Sequence, residues 1–595
     1  MTAPTAAPDA PHLANPDLYP SFTKGVFVGE IPEDLVFPFP AMPDDERESL
    51  AAILDSLRSW AADNVNSSQL DHDGKFPDAV RKGIAELGLM GLNIPEAYGG
   101  FGASTRVFAR VFGEVGATDP ALCVYFGAHQ SIGCKGITLF GTEDQKQRWL
   151  TGCASGDIVA AFCLTEPGSG SDAQAMATTA VPSADNSHYI LNGTKIWISN
   201  AGYAGLFTVF AKVPVTQPDG TVKQRATAFI VDAKAQGITL GQPEAKMGIK
   251  ASDTRTVTFE NVRVPVADRL GEVGQGFKFA LEILNSGRLG LAAGSARGAR
   301  KIMHEALVYA KQREQFGRSI GSFEMIQQKF AVNAAEVYAA DSAWMLTAGM
   351  VDRGGIDYSL ETAACKVFAS ELAFRASNDA LQIAGGIGYS KEFPYEQAVR
   401  DSRINLIFEG TNEILRALIA LSALQQPGER LKEIGKAFKD PLHSLGAIGS
   451  YVAGRAKRQV SKPSFSHVHE ALAEEAEAVA SNIHDLALAV EALLLKHGKK
   501  VIEKQFLQLR LANAAIDIFV SVAVLSRTTW EIERAGSVDA ASAELDCARV
   551  FIPAAMRRTR RNIRALRVNQ DARLKAIAER ALESGELTAA TPGDR

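Results

Sequence analysis

At 595 residues, with 63 Lys and Arg against 68 Asp and Glu and a formal net charge of -5, the chain has the composition of an ordinary soluble protein, long enough for about three or four domains. That balance gives no global attraction to nucleic acid or anionic lipid, so any such contact must come from a local patch. The six cysteines, Cys123, Cys134, Cys153, Cys163, Cys365 and Cys547, show no CxxC pairing; they read as reduced core residues and exclude a disulfide framework or a zinc site.

Residues 1–42 are rich in Pro, Ala and Asp, with no Lys or Arg before Lys24. They suit neither a secretory signal nor an Arg-rich transit peptide, and are expected as an extended tail laid on, or trailing from, the first domain. No run is expected to span a membrane. A cytoplasmic protein is the default, and a matrix protein stripped of its presequence would read the same way.

Residues 43–157 have helical spacing: "DERESLAAILDSLRSWAADNV" opens on acidic residues and sets Leu50, Ile53, Leu54 and Leu57 on one face. Over 158–271 the period changes to two. "HYILNGTKIWIS" reads as a hairpin, Asn192-Gly193 suiting a type I′ turn, and "TAFIVDA" and "TRTVTFENVRVPV" continue as strands. Helical spacing resumes over 272–426 in Ala-rich segments long enough for a bundle. After the Pro427-Gly428 break, 427–595 reads as an additional helical domain. The fold class is therefore mainly α with an inserted, barrel-like β domain, an order that leaves clefts at the domain junctions.

Six stretches carry chemistry. "FCLTEPGSGSDA" contains Gly168-x-Gly170-x-x-Ala173, but the crossover helix of a dinucleotide fold does not follow. It reads as a polar loop whose Thr165, Ser169 and Ser171 suit a polar ring edge or a phosphate, a plain surface turn being the alternative. "KIWISN" sets Trp197 beside Ser199 on a strand, as a core tryptophan or as a wall for a planar cofactor. "LQIAGGIGY" breaks a helix with paired glycines, a helix cap or a site of close approach to a phosphate. Arg313 in "KQREQFG" and Arg288 in "LNSGRLG" are expected on bundle helices, paired with phosphates or with carboxylates. In "RINLIFEGTNEILRAL", Glu409 follows the apolar run Leu406, Ile407, Phe408, and Thr411 or Asn412 can cap a helix behind it. A carboxylate there either favours the helix dipole or is a base in an apolar pocket.

In order, spacing and setting these motifs resemble the acyl-CoA dehydrogenases, over about residues 46–424, and the additional helical domain resembles the very-long-chain branch. The resemblance implies an FAD enzyme converting a long-chain fatty acyl-CoA to the trans-2-enoyl-CoA in β-oxidation, with electrons passed to an electron-transferring flavoprotein. Glu409 matches the glutamate that removes the α-proton, and Gly410 leaves room for the thioester. Asn285, Ser286 and Gly287 offer no carboxylate where other members carry the base. Phe162, Cys163, Leu164, Thr165 and Ser171 match the loop around the flavin ring and the CoA, Trp197, Ile198 and Ser199 the wall behind it, and Thr411 with Glu413 the segment after the base. Arg313 and Phe316, with Gln382, Ile383, Ala384, Gly385 and Gly386, match elements that reach FAD across a subunit interface, implying a homodimer. Asn285 and Arg288 match substrate-side residues; Ser171, Glu409 and Gly410 also belong to that set. Phe323-Glu324 departs from the family's Phe-Gln, removing one flavin contact, which Gln327 could supply.

The glycines Gly127, Gly133 and Gly136 are expected to open a long acyl tunnel, close helix packing being the other reading. Residues 430–462 mix Lys432, Lys436, Lys439, Arg455, Lys457 and Arg458 with apolar positions, a pattern expected at a peripheral membrane contact. The run from Arg557 is expected as a charged helix face, not as a nucleic-acid site. An acyl-CoA oxidase and a scaffold protein on the same fold are the alternative functions.

Overall fold

The computed structural model describes residues 20–437 and 462–587. Chain order gives helices, a sheet, a long-helix bundle and further helices.

The first helical unit runs from α2 (Asp44–Asn64) through α3 (Ser67–Asp73), α4 (Asp78–Glu86), α5 (Thr105–Thr118), α6 (Pro120–Gly127), α7 (Lys135–Phe140) and α8 (Glu143–Ser155). Its ends carry the expected caps: Ser104 caps α5, Asp119 caps α6 ahead of Pro120, and Thr142 with Gln145 forms a capping box on α8. Leu54 and Leu57 are buried among Val107, Val111, Val115 and Phe126, so the heptad-like face read from the sequence is the packed one. A π-helical turn, Ala128–Gly133, follows α6 directly.

An eight-stranded mixed sheet comes next, in the order β6-β7-β3-β2-β4-β5-β8, with β1 parallel to β4. Its strands are β1 (Val159–Cys163), β2 (Thr179–Pro182), β3 (His188–Ser199), β4 (Ala204–Thr216), β5 (Val222–Asp232), β6 (Ile238–Leu240), β7 (Thr254–Pro265) and β8 (Arg269–Leu270). Asn192-Gly193 is not a hairpin turn. The two residues lie inside β3, at a register shift in the pairing with β7. Gly193 has φ +154, and a Cβ there would lie 2.3 Å from the Thr178 hydroxyl, so the glycine serves a bulge with a close neighbour. The β2–β3 turn instead falls around Asp185 and Asn186, the latter at φ +54.

The bundle is α9 (Gly276–Gln312), the short hairpin β9 (Glu314–Gln315) and β10 (Arg318–Ser319), α10 (Glu324–Arg353), α11 (Ser359–Ala384), α12 (Tyr395–Arg403) and α13 (Asn412–Ala437). At about 1.5 Å per residue α9 is about 55 Å long, the longest rod among the described elements. Its Ala and Gly positions allow α11 and α5 to pack closely along it. Pro427 does not end a unit: α13 runs through it, because the chain there is anchored by Leu415, Ile419, Ala420, Ala423 and Leu424 in the core. Of the last helices, α14 (Ala473–His497), α15 (Gln505–Ala535) and α16 (Ser542–Ala565) extend the same core, which runs unbroken from the bundle into them, while α17 (Asp571–Ser584) buries no residue.

Two of these segments, Glu470–Glu503 and Gln505–Ala535, have the length and mean hydropathy of membrane spans, 1.5 and 1.7 over their most apolar windows. The expectation that no run would do so is corrected. The second is 83% buried within the protein over that window, which is the pattern of a core helix.

The residues before 42 are also more than a tail. Residues 20–42 carry α1 (Phe22–Phe27), and Phe22, Val26, Phe27, Val36, Phe37 and Phe39 are buried against the bundle and the last helices, not against the first helical unit. The Thr23 amide donates to Glu361 of α11 at 2.8 Å, Phe22 meets Phe519 of α15 at 6.1 Å, and the Glu33 carboxylate accepts from the Ser466 and His467 amides. Burying such apolar side chains stabilises by about 1.5–3 kcal/mol each. Hydropathy of the "SFTKGVF" stretch is what a composition reading of the segment passes over.

Most of the basic segment 430–462, from 438 to 461, lies outside the described residues.

Candidate active site

A cavity of about 720 Å³ lies where the first helical unit, the sheet and the bundle meet. Phe162, Leu164, Thr165, Ser171, Trp197, Ile198, Ser199, Arg288, Glu409 and Gly410 line it, so residues up to 248 positions apart in sequence share one cavity.

The loop after β1 is fixed from below. Lys195, wholly buried on β3, donates to the Glu166 carboxylate at 2.6 Å and to the Leu164 carbonyl at 3.1 Å, while Glu166 also accepts from the Thr178 amide at 3.1 Å. The Ile196 amide donates to the Thr165 carbonyl at 2.9 Å. Trp197 therefore sits on a clamped segment at another register shift of β3. It has φ +59 and its side chain is 57% exposed, at the cavity wall. A bulky residue in the left-handed region is costly, by about 1–3 kcal/mol, and such residues gather at functional sites. Ile249 (φ +45), Phe316 (φ +53) and Glu409 (φ +59) share this conformation. Ile249 lines the same cavity and is held by its amide, which donates to buried Asp401.

Glu409 and Gly410 (φ +90) form two successive left-handed residues ahead of α13, whose start is capped by the Thr411 hydroxyl accepting from the Ile414 amide. The Glu409 carboxylate points at α9: a Cβ on Gly287 would lie 2.7 Å from both of its oxygens. Glycine at 287 is thus the space that the carboxylate occupies. Its Oε2 is sealed from solvent and has no hydrogen-bond partner among the described residues. Burial pushes the Glu409 carboxyl up to about 7, against the opposing pull of Arg288 and Lys366. A carboxylate so placed, on the wall of a cavity lined mainly by apolar groups, is a competent base near neutral pH.

Other expected site residues fall elsewhere. Cys163 points into the sheet core and Asn285 lies behind Arg288, accepting from its Nη1 at 3.0 Å; neither lines the cavity. Thr411 and Glu413 face away from the lining, as the cap and the first turn of α13. Arg313 lies just past the end of α9 rather than on it, and is exposed. Phe316, at the tip of the β9–β10 hairpin with Gly317 at φ +75, is 94% exposed. Gln382, Gly385 and Gly386 are exposed where α11 ends, while Ile383 and Ala384 are buried in the core. Within one chain these residues do not join the cavity.

The glycines also sort differently from the expectation. Gly127 lines the cavity, but Gly133 and Gly136 do not: a Cβ on Gly133 would lie 2.6 Å from the Ala128 carbonyl and one on Gly136 3.0 Å from Ile283. Close packing accounts for them. The cavity instead follows Gly287, Gly294 and Gly298 along α9, with Gly116 of α5 also in the lining. Their spacing of seven and four residues, one face of a helix, was the readable signal.

Among the described residues no cluster of His, Cys, Asp or Glu has metal-ligand geometry. For a flat cofactor the fit is good: an aromatic wall at Trp197, hydroxyls at Thr165 and Ser199, and Glu409 on the same cavity.

Family models for the acyl-CoA dehydrogenase N-terminal, middle and C-terminal domains match residues 47–157, 161–262 and 274–424. The ACAD9/ACADV C-terminal domain matches 470–587. The very long-chain specific acyl-CoA dehydrogenase of Bos taurus is 41% identical over 584 residues, covering 96% of this chain and 89% of its own. The Homo sapiens protein of that name is 43% identical over 516 residues, 86% of this chain and 79% of its own. The structure of an acyl-CoA dehydrogenase complexed with FAD from Bacillus anthracis superposes with TM-score 0.78 at 30% identity, covering 96% of this chain and 95% of that one. The chain belongs to the acyl-CoA dehydrogenase family.

Proposed function

We propose that the protein dehydrogenates long-chain fatty acyl-CoA thioesters between Cα and Cβ in β-oxidation, giving the trans-2-enoyl-CoA. The carrying observation is the half-buried Glu409 carboxylate, its Oε2 sealed from solvent, seated in the gap that Gly287 leaves on the wall of a long apolar cavity. FAD, when bound, supplies the acceptor for the β-hydrogen and its electron pair. Trp197, Thr165 and Ser199 would hold its ring. Glu409 takes the α-proton, and the burial that seals its Oε2 makes the carboxylate a stronger base than a solvated one. Arg288, donating from Nε to the Glu409 carbonyl at 3.2 Å, keeps the base from turning out of the cavity.

Chain length follows from the cavity's course along α9 to Lys301 and Glu305, well past Gly298. Rates measured with saturated acyl-CoAs of graded length are expected to peak at long chains; a peak at butyryl-CoA would refute this reading. An electron-transferring flavoprotein is the proposed acceptor, consistent with the family. The peripheral membrane contact of a cytoplasmic-side protein is proposed only on the basic composition of 430–462.

A homodimer is proposed from Phe316. A phenylalanine held at φ +53 and almost fully exposed gains little from its edge-on contact with Phe323 at 6.2 Å, whereas a second copy carrying FAD would cover it. Phe316→Asp is expected to shift sedimentation toward monomer and to weaken FAD retention on dilution by about tenfold or more. Unchanged sedimentation with full FAD content would contradict the proposal.

A further inference from the structure

Lys366 is wholly buried on α11, in the otherwise apolar and small-residue run "TAACKVFAS". Among the described residues its Nζ forms no ion pair with a carboxylate. It donates to the Gly410 carbonyl at 2.9 Å and to the Asn412 Oδ1 at 2.8 Å. Burying an ammonium group without a direct counter-ion is expensive, and a Met of similar volume would suit the surrounding core better. Stability therefore does not account for the lysine.

Its two acceptors do. Gly410 follows the base, and Asn412 opens α13. The two consecutive carbonyls of the left-handed turn are thus fastened from opposite helices, Glu409 by Arg288 of α9 and Gly410 by Lys366 of α11. Asn412 is itself held by donating to Ser370 at 3.1 Å and to Glu371 at 3.2 Å, and Arg416 ties Glu371 to Asn513 of α15. The turn has little freedom left.

We propose that Lys366 is a positioning residue for the reaction: it locks the Glu409–Gly410 turn through the Gly410 carbonyl, and its charge holds the neighbouring base in the ionised form. The proposal rests on the reading of Glu409 as the base. The charged groups around Lys366 are Glu409, Arg288, Glu371 and Glu413. Burial brings Lys366 down to about 7, and the field of Lys366 and Arg288 opposes the burial that raises Glu409. Removing one of the two cations should therefore raise Glu409 further and leave less carboxylate at neutral pH.

The test follows anaerobic flavin reduction by hexadecanoyl-CoA from about pH 5 to 9 in FAD-loaded wild type, Lys366→Met and Lys366→Gln, with binding of an unreactive thioether analogue measured alongside. In both variants the acid limb is expected to move about one unit alkaline, with reduction about fivefold slower at pH 7 and analogue binding within about twofold of wild type. A merely structural lysine would change folding or FAD content without moving that limb. If the Met variant does not fold, the Gln variant, which keeps a donor but no charge, is expected to show the same displacement. FAD-loaded variants with the wild-type limb and rate would overturn the proposal alone. A wild-type protein that shows no acid limb would overturn the reading of Glu409 as the base, and with it the role of Lys366.

Discussion

Glu409→Gln is expected to lower the rate of flavin reduction by acyl-CoA by about 10³-fold or more, while FAD and substrate still bind. The amide has the size of the carboxyl, so the gap at Gly287 remains filled and the packing is retained. What is lost is the only basic group among the cavity-lining residues whose oxygens lie against Gly287, with one of them sealed from water. In the wild type the rate should rise with pH through about 7, because the reactive form is the carboxylate and burial has raised its pKa to that value. Rapid-mixing absorbance of the flavin band reads both effects. A glutamine variant that reduces within about tenfold of wild type would place the base elsewhere.

The second large effect concerns the tunnel. Gly298→Leu is expected to abolish activity on long chains while sparing short ones. A Cβ at Gly298 meets nothing within 4 Å, yet the residue lines the cavity, so a larger side chain there enters open space rather than a neighbour. Gly298 lies eleven residues past Gly287 on α9, about 16 Å along the axis. An extended chain advances about 1.2 Å per bond, which places the block about thirteen bonds from the base. Hexadecanoyl-CoA and longer substrates should lose about 100-fold in kcat/KM, and octanoyl-CoA should change by less than about threefold. Helix propensity favours Leu over Gly, so misfolding does not confound the result. Equal losses at all lengths would mean that the acyl chain takes another path.

Much of this site was legible in the sequence because its chemistry sits at punctuated positions. Glu409 stands between an apolar run and a glycine, and Trp197 lies on a strand with hydroxyl neighbours. Backbone conformation was not legible: nothing in "KIWISN" or "FEGTN" shows that Trp197 and Glu409 take φ near +60. The Asn192-Gly193 reading failed for a related reason. The dipeptide suits a turn, yet the sheet absorbed it as a bulge where Thr178, the residue just before β2, approaches Gly193. Residues 20–42 were misjudged on Pro and Ala content, although Phe22, Phe27, Phe37 and Phe39 carried the docking signal. Lys366 was overlooked in the sequence, where a single cation within a small-residue helical run was its mark. Arg313, Phe316 and Gln382 show the reverse: their motif is readable, but one chain alone does not bring them to the cavity.

Anaerobic titration of the FAD-loaded wild-type protein with hexadecanoyl-CoA tests the central claim most directly. Bleaching of the visible flavin band in proportion to added thioester, with one trans-2-enoyl-CoA formed per flavin reduced, is the predicted result. A flavin band that stays oxidised while the thioester is recovered unchanged would contradict it.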